Sequence, residues 1–361
     1  MLESQVTEYE LEITSDCNAA CPLCARTQMH MPLRGNNQFT LADIKKAFSR
    51  REQIEGKSFK LCGTMGDPIV HPHCFEICEY LSENGGLVDL STNGGYNNVD
   101  WWKKLAQLPG LRVYWAVDGT EQTNHIYRVN VKWETLIRNM TAFSEAGGAG
   151  TWQYLIFDHN KDDVEEAFDL ATSFGFKFKK RTSGRTKVYG NKGAAGENRV
   201  VSLNRKTKQE IKISDNSSGH SVSKANQARI SANNVGKGRA TEKDIQIIKQ
   251  ATRYMMCKHF DHPECYIGSD FTLWPCCFLY DTKVKNEFHY QNKNTLIGDP
   301  NWNSLHHHTI EEILATEQFQ TIKQRWNPDN PKQLLERCIR TCGNKGEYLN
   351  TGTIIKKKKN I

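Results

Sequence analysis

Three cysteines near the N-terminus carry the clearest chemistry in the chain. Cys17, Cys21 and Cys24 follow a C-x3-C-x2-C spacing. Thiolates this closely spaced suit metal or cluster binding in a reducing compartment, where structural disulfides are disfavoured. A zinc site would use Cys21 and Cys24 and need a further ligand. A [4Fe–4S] cubane has four irons, so three thiolates leave one iron open to an outside ligand. That is the cluster equivalent of a catalytic metal site with a free position.

Those cysteines must be positioned by regular elements. Glu8 to Thr14 alternates as a strand, and a long connection from about Ser15 to Phe39 follows it. Thr40 then starts a helix, with Asp43 in the capping-box position. Further strands are expected at Ser58 to Cys62, Leu87 to Ser91, Arg112 to Val117, Thr151 to Phe157 and Phe176 to Lys180. Helices are expected at Pro72 to Ser82, Asp100 to Gln107, Trp133 to Glu145 and Asp163 to Ser173. Such alternation implies parallel βαβ units, either an open Rossmann-like sheet or a partial barrel. In both, chemistry gathers at the C-terminal ends of the strands. The cysteine triplet lies in the first strand–helix connection, and a loop that long is often functional. Cys62, Cys74 and Cys78 read as structural thiols, since free cysteine packs as a small hydrophobe.

Motifs after the next strands point the same way. Cys62-Gly63-Thr64-Met65-Gly66-Asp67-Pro68 follows the second strand, Ser91-Thr92-Asn93-Gly94 the third, and Ala116-Val117-Asp118-Gly119 the fourth. Together with the triplet, these segments resemble the radical SAM superfamily over residues 8 to 182. The resemblance implies a partial (β/α)6 parallel barrel. It implies a [4Fe–4S] cluster on Cys17, Cys21 and Cys24 whose open iron is chelated by S-adenosylmethionine. Contacts to that cofactor would come from Gly63, Thr64, Gly66, Asp67, Ser91, Asn93 and Asp118. A reductant such as flavodoxin or ferredoxin would supply the electron, and a 5′-deoxyadenosyl radical would abstract a substrate hydrogen. The chain departs from the family pattern at Leu23, where an aromatic residue is usual, and at Thr64, Met65 and Asp67, where a Gly and a Glu are usual.

Six more cysteines lie beyond residue 256: Cys257, Cys265, Cys276, Cys277, Cys338 and Cys342. Asp270-Phe271-Thr272-Leu273-Trp274-Pro275-Cys276-Cys277 resembles the D-G-x-V-x-P-C-C segment of SPASM and Twitch domains, with Phe271 where that pattern has its glycine. The resemblance implies a smaller cysteine-rich domain holding an auxiliary [4Fe–4S] cluster on Cys257, Cys276, Cys338 and Cys342. Cys265 and Cys277 are substitutes or ligands of a second cluster. A structural zinc site could use the same thiols. The implied organisation is a core at 1–182, a polar basic insertion or linker at 183–252, the auxiliary domain at 253–345 and a basic tail at 346–361.

Composition bounds the partners. The chain has 361 residues, 38% hydrophobic and 25% charged. No apolar run reaches the roughly 18 residues of a membrane span. The opening residues lack the features of a signal peptide, so a cytoplasmic protein is expected. The net charge is +7, but Phe176 to Gln250 holds 18 Lys/Arg against 5 Asp/Glu, leaving −6 elsewhere. Within that stretch, Val200 to Ser214 suggests a short hairpin. A basic segment attracts anionic partners such as an acidic peptide or phosphates, although a solvated insertion would look the same. Two substrate classes follow: a peptide or protein, or else a nucleotide, nucleic acid or sugar derivative. A non-catalytic electron carrier or binding module is a third reading. The open triplet disfavours it, since a carrier cluster is better served by four protein ligands.

Overall fold

The computed structural model describes residues 3–182, 201–202, 210–211, 231, 234–235, 238–253, 257, 259, 262–284, 301–322 and 335–342. Most of the basic 183–252 stretch and all of the 346–361 tail lie outside the described residues. The chain divides into two compact units, one of residues 9–217, the other of residues 1–8 with 218–361.

The first unit alternates strand and helix. Its strands are β1 (Glu8–Leu11), β2 (Ser58–Leu61), β3 (Leu87–Thr92), β4 (Leu111–Ala116), β5 (Ala149–Ile156) and β6 (Lys177–Thr182). Its helices are α1 (Ala25–Gln28), α2 (Leu41–Ala47), α3 (Cys74–Glu83), α4 (Val99–Ala106), α5 (Asn124–Tyr127), α6 (Trp133–Glu145) and α7 (Val164–Ser173). Thr40 caps α2 in a full capping box with Asp43, as its sequence suggests. The strands lie side by side in chain order, β1 to β6. Each pair from β2 to β6 is parallel. A sheet that never reverses its order keeps its right-handed crossovers on one side, which is the winding of a partial barrel rather than a Rossmann sheet.

The two faces of this sheet differ. Val88, Leu90, Val113, Trp115 and Trp152 are fully buried on one face. There Trp102 of α4 packs on Trp115 at 4.7 Å, and Phe143 of α6 lies 5.6 Å from the same ring. Gly150 pairs with Val113 on this face. A Cβ at Gly150 would come within 2.4 Å of the Phe176 ring. Glycine thus makes room for Phe176 to stack on Trp115 at 5.9 Å. The opposite face carries Lys60, Asp89, Ser91, Arg112, Tyr114, Gln153 and Lys179. Asp89 pairs in register with Arg112, and Ser91 with Tyr114. A parallel sheet ordinarily buries apolar residues on both faces. Here one face is apolar under helices and the other is polar, as a face that takes a polar ligand requires.

Cys74 and Cys78, one turn apart on α3, are buried and hydrogen-bonded to each other. Cys62 Sγ donates to Glu10 at 3.1 Å. All three fit structural thiols. Val201–Ser202 (β7) pairs antiparallel with Glu210–Ile211 (β8), and the turn of that hairpin lies outside the described residues.

In the second unit, α8 (Glu242–Arg253) precedes an antiparallel hairpin of β9 (Glu264–Ile267) and β10 (Leu273–Trp274). Among the described residues the helices that follow are α9 (Cys277–Val284), α10 (Ile310–Ala315), α11 (Glu317–Gln320) and α12 (Glu336–Cys342). Phe271, at the position where the segment it resembles has glycine, takes the left-handed conformation, φ 57°. Its N–H donates to Gly268 O at 2.8 Å, so the turn closes. The ring is 1% exposed and lies 5.0 Å from His306. Burial of the ring offsets the roughly 1–2 kcal/mol that the left-handed conformation costs a residue with a Cβ.

After β5, His159 stacks on Phe157 at 5.4 Å. Both ring nitrogens are buried without a hydrogen-bond partner among the described residues. Burial lowers its pKa to about 4, with Asp163 and Asp158 opposing. The folded chain therefore keeps this ring neutral where the unfolded chain has already protonated it. Unfolding takes up a proton between about pH 6.5 and pH 4, so stability falls as pH falls through that window. His159→Gln is expected to flatten this part of the profile, measured by urea unfolding across it.

Candidate functional site

The loop after β1 is held by backbone and buried polar contacts. Ser15 N donates to Asn37 O at 2.8 Å and Cys17 N to Leu33 O at 3.0 Å. The Asp16 carboxylate accepts from Gly35 N at 3.2 Å and Asn36 N at 2.9 Å. Arg26, 2% exposed, donates to Ser15 O at 3.2 Å and Pro32 O at 2.5 Å. A closed loop of this kind presents its thiols in a fixed order.

Cys17 and Cys21 are buried, Cys24 is half-buried, and all three are free thiols. Burial pushes the Cys21 thiol up to about 11; Arg128 opposes the rise, while Cys24 and Asp118 add to it. Cys17 is also raised, first by burial and then by Asp67 and Cys21. The three sulfurs thus stand within electrostatic reach of one another in a poorly solvated site. Donors are already aimed at them: Ala19 N at 3.3 Å and Asn93 Nδ2 at 4.0 Å from Cys17 Sγ, and Arg128 Nη1 at 3.8 Å from Cys21 Sγ. Hydrogen bonds to sulfur are the usual protein support for an iron–sulfur cluster. Among the described residues no three His, Cys, Asp or Glu are arranged to hold a metal ion. A cubane asks for something different, because each thiolate binds its own iron and the sulfurs stand apart. The donor set fits a cubane with one open iron.

The residues expected to contact the cofactor surround this loop. Gly63 is exposed and Thr64 half-buried in the turn after β2. A Cβ at Gly66 would lie 1.8 Å from Thr14 O, so glycine alone lets the turn seat against the start of the cysteine loop. Buried Glu12 holds the turn, accepting from Met65 N at 2.5 Å and Gly66 N at 3.2 Å. Asp67 is buried, and burial raises its pKa. It accepts from Asn93 N at 2.8 Å and Asn93 Nδ2 at 2.6 Å. Asn93 in turn donates to Asn18 Oδ1 at 2.8 Å, inside the triplet. Ser91 is half-buried on the polar face beside Tyr114.

Asp118 is fully buried and both its oxygens have protein partners. Leu155 N donates to one at 2.6 Å, and Arg128 pairs with the other at 2.7 Å. Its role in this arrangement is to hold Arg128 beside Cys21. Tyr154 donates to Asn160 O at 2.5 Å. Arg128, Glu12 and Asn18 escape sequence reasoning. Asn18 lies inside the triplet itself and could have been flagged there; nothing in the sequence marks the other two.

In the second unit, Cys257, Cys276, Cys338 and Cys342 line one cavity. Cys338 and Cys342, one turn apart on α12, share a helix face. Burial pushes Cys276 up to about 12, with Cys257 and Cys342 adding to the rise and the Leu279 N–H opposing it. Cys265 is buried in β9 and Cys277 packs against a hydrophobic cluster; neither lines the cavity. Four thiols around one cavity fit a fully ligated cluster.

Residues 11–171 match the Radical SAM superfamily. These residues are similar to a radical SAM domain. The chain is 30% identical over 108 residues to a tungsten-containing aldehyde ferredoxin oxidoreductase cofactor-modifying protein of Pyrococcus furiosus, covering 30% of each chain. It is 25% identical over 166 residues to the mycofactocin maturase MftC of Mycobacterium tuberculosis, covering 45% of this chain and 41% of that one. The fold is similar to Streptococcus suis SuiB bound to S-adenosylmethionine, with TM-score 0.51 and 13% identity over 76% of this chain and 61% of SuiB. SuiB has also been solved bound to the precursor peptide SuiA. The matches span less than half of each curated relative and less than two thirds of SuiB.

Two substitutions test this arrangement. Arg128→Met strands Asp118 as a buried, unpaired charge, and is expected to cost about 3–5 kcal/mol in denaturant unfolding. Adding Asp118→Asn should recover part of that loss. Gly66→Ala forces the turn off Thr14 and should cost at least about 1–3 kcal/mol, the scale of local backbone strain, with weaker S-adenosylmethionine binding by calorimetry.

Proposed function

We propose that the chain is a radical SAM enzyme that modifies a peptide or protein, with an auxiliary cluster in its second unit. When bound on Cys17, Cys21 and Cys24, the cluster and S-adenosylmethionine would supply reductive cleavage of the sulfonium and a 5′-deoxyadenosyl radical that takes a hydrogen atom from the substrate. The observation carrying this reading is that the triplet loop is bonded to groups following β2, β3 and β4, namely Asp67 through Asn93, Asn93 itself, and Arg128.

The chain's own residues have definite tasks in this reading. Cys17, Cys21 and Cys24 hold the cluster in a loop fixed by Arg26 and Asp16. Gly63, Thr64 and Gly66 offer backbone groups at the turn that Glu12 holds. Asp67 orients Asn93, and Asp118 orients Arg128, whose positive charge faces the thiolates. Buried Leu23 and Met65 exclude water beside the loop. Ser91, beside Tyr114 on the polar face, offers a hydroxyl to the cofactor's sugar. Cys257, Cys276, Cys338 and Cys342 hold the auxiliary cluster.

The peptide substrate is inferred from SuiB, which binds a precursor peptide, and from the maturase MftC. The exposed cations Lys177, Lys179, Lys180 and Arg181 of β6 favour an anionic partner. A flavodoxin or ferredoxin is the expected electron donor. Among the described residues no helix is long and apolar enough to cross a membrane.

Anaerobic reconstitution is expected to give about eight irons, four per cubane. Replacing Cys17, Cys21 and Cys24 with Ala should remove about half of that iron and abolish 5′-deoxyadenosine formation, read by iron assay and chromatography. Retained cleavage in the triple variant would sink the assignment. Transfer of deuterium from a labelled peptide into 5′-deoxyadenosine would establish the substrate class.

A further inference from the structure

The cavity lined by Cys257, Cys276, Cys338 and Cys342 contains one charged side chain, Arg337. Its side chain is only 15% exposed and pairs through Nη2 with Asp281 Oδ2 at 2.8 Å; the Asp281 side chain is 7% exposed. The guanidinium also lies 5.3 Å from the centre of the Phe278 ring, another cavity residue. The remaining lining includes apolar Pro275, Leu279 and Ile322.

Arg337 is held at one edge and unsatisfied at another. Asp281 takes the Nη2 edge. The Nε–H is buried and has no hydrogen-bond partner among the described residues. A buried charge-bearing donor without an acceptor costs stability, on the order of 1–3 kcal/mol or more. Such a group persists where something else accepts from it. In a cavity lined by four thiols and apolar groups, the acceptor chemistry that fits is anionic sulfur.

We propose that Arg337 is a positioning residue that raises the reduction potential of the auxiliary cluster, with Asp281 holding it in place and moderating its charge. This rests on the auxiliary-cluster reading above. A cluster gains negative charge on reduction, so a fixed cation and an N–H donor to its sulfurs favour the reduced form. Asp281 is anionic and on the same cluster would act in the opposite sense. The sign of the two effects separates tuning from scaffolding. Loss of a merely structural pair would perturb the site in the same way whichever partner is removed.

The test uses the full-length chain carrying Cys17→Ala, Cys21→Ala and Cys24→Ala, so that one cluster remains. Reconstituted iron is counted, and the midpoint potential is read by a redox titration followed by EPR. Arg337→Gln is expected to retain iron and shift the potential negative, changing the reduction equilibrium at least tenfold, about 59 mV for one electron. Asp281→Asn is expected to shift it positive, and Arg337→Lys to shift it negative by less than Gln does. If Arg337→Gln fails to fold, the Lys and Asn variants carry the same sign test. Unchanged potentials, or shifts of the same sign in the Arg337 and Asp281 variants, overturn the role of Arg337. Absence of iron in the triple-cysteine background, or zinc in its place, overturns the auxiliary-cluster reading instead.

Discussion

The buried ion pair between Asp118 and Arg128 joins the end of β4 to the cysteine loop. Its carboxylate is fully buried, and the guanidinium sits 3.8 Å from Cys21. A charge removed from water must be matched at short range, so neither partner can move alone. Leu155 N fixes the other carboxylate oxygen, and the backbone of the segment after α5 is tied to the triplet by Ala20 N donating to Val129 O at 3.0 Å. The same logic holds on the other side of the loop, where Asp67 and Asn93 are paired. Three thiols that would otherwise sit in a mobile 25-residue-scale connection are thereby placed against three strand ends.

The sheet makes this arrangement possible because its faces are unequal. Helices α4 and α6 press aromatic rings onto Trp115, which closes one face and makes it rigid. The other face keeps Ser91, Tyr114 and Gln153 half-buried. Sequential strand order places every crossover helix on the closed side. The open side is then available to a polar cofactor at the strand ends, where parallel sheets place their chemistry.

The second unit solves a different problem, holding four thiols from distant positions around one cavity. The turn before Cys276 depends on Phe271 in a conformation that glycine normally takes. Its buried ring contacts offset the backbone cost, so the hairpin closes without the expected glycine. The departure from that pattern at Phe271 is thus compensated by packing. Arg337 illustrates the converse: a residue adjacent in sequence to Cys338 becomes chemically interesting only because the fold sets it in the lining of a thiol-lined cavity, with its Nε–H buried and unmatched among the described residues.

Local patterns determined much of this protein. The alternation of strands and helices, the Thr40 capping box and the C-x3-C-x2-C spacing all depend on neighbours in sequence, and the expected elements form within a residue or two of where those patterns end, except that β1 stops at Leu11, three residues before Thr14. The triplet and the Gly66 turn were legible for the same reason, since short motifs carry their own geometry. The direction of sheet winding was not legible in the alternation itself, because a Rossmann sheet and a partial barrel share the same βαβ pattern and differ only in strand order; the family resemblance implied the barrel, and the strand order agrees. Nor were Glu12, Arg128 and Arg337, which bear no motif. Their roles arise from burial and from partners 10 to more than 50 residues away, as in Arg128 with Asp118, Glu12 with Met65 and Arg337 with Asp281. Only the tertiary structure brings such charges out of water together, and desolvation is what gives them their strength.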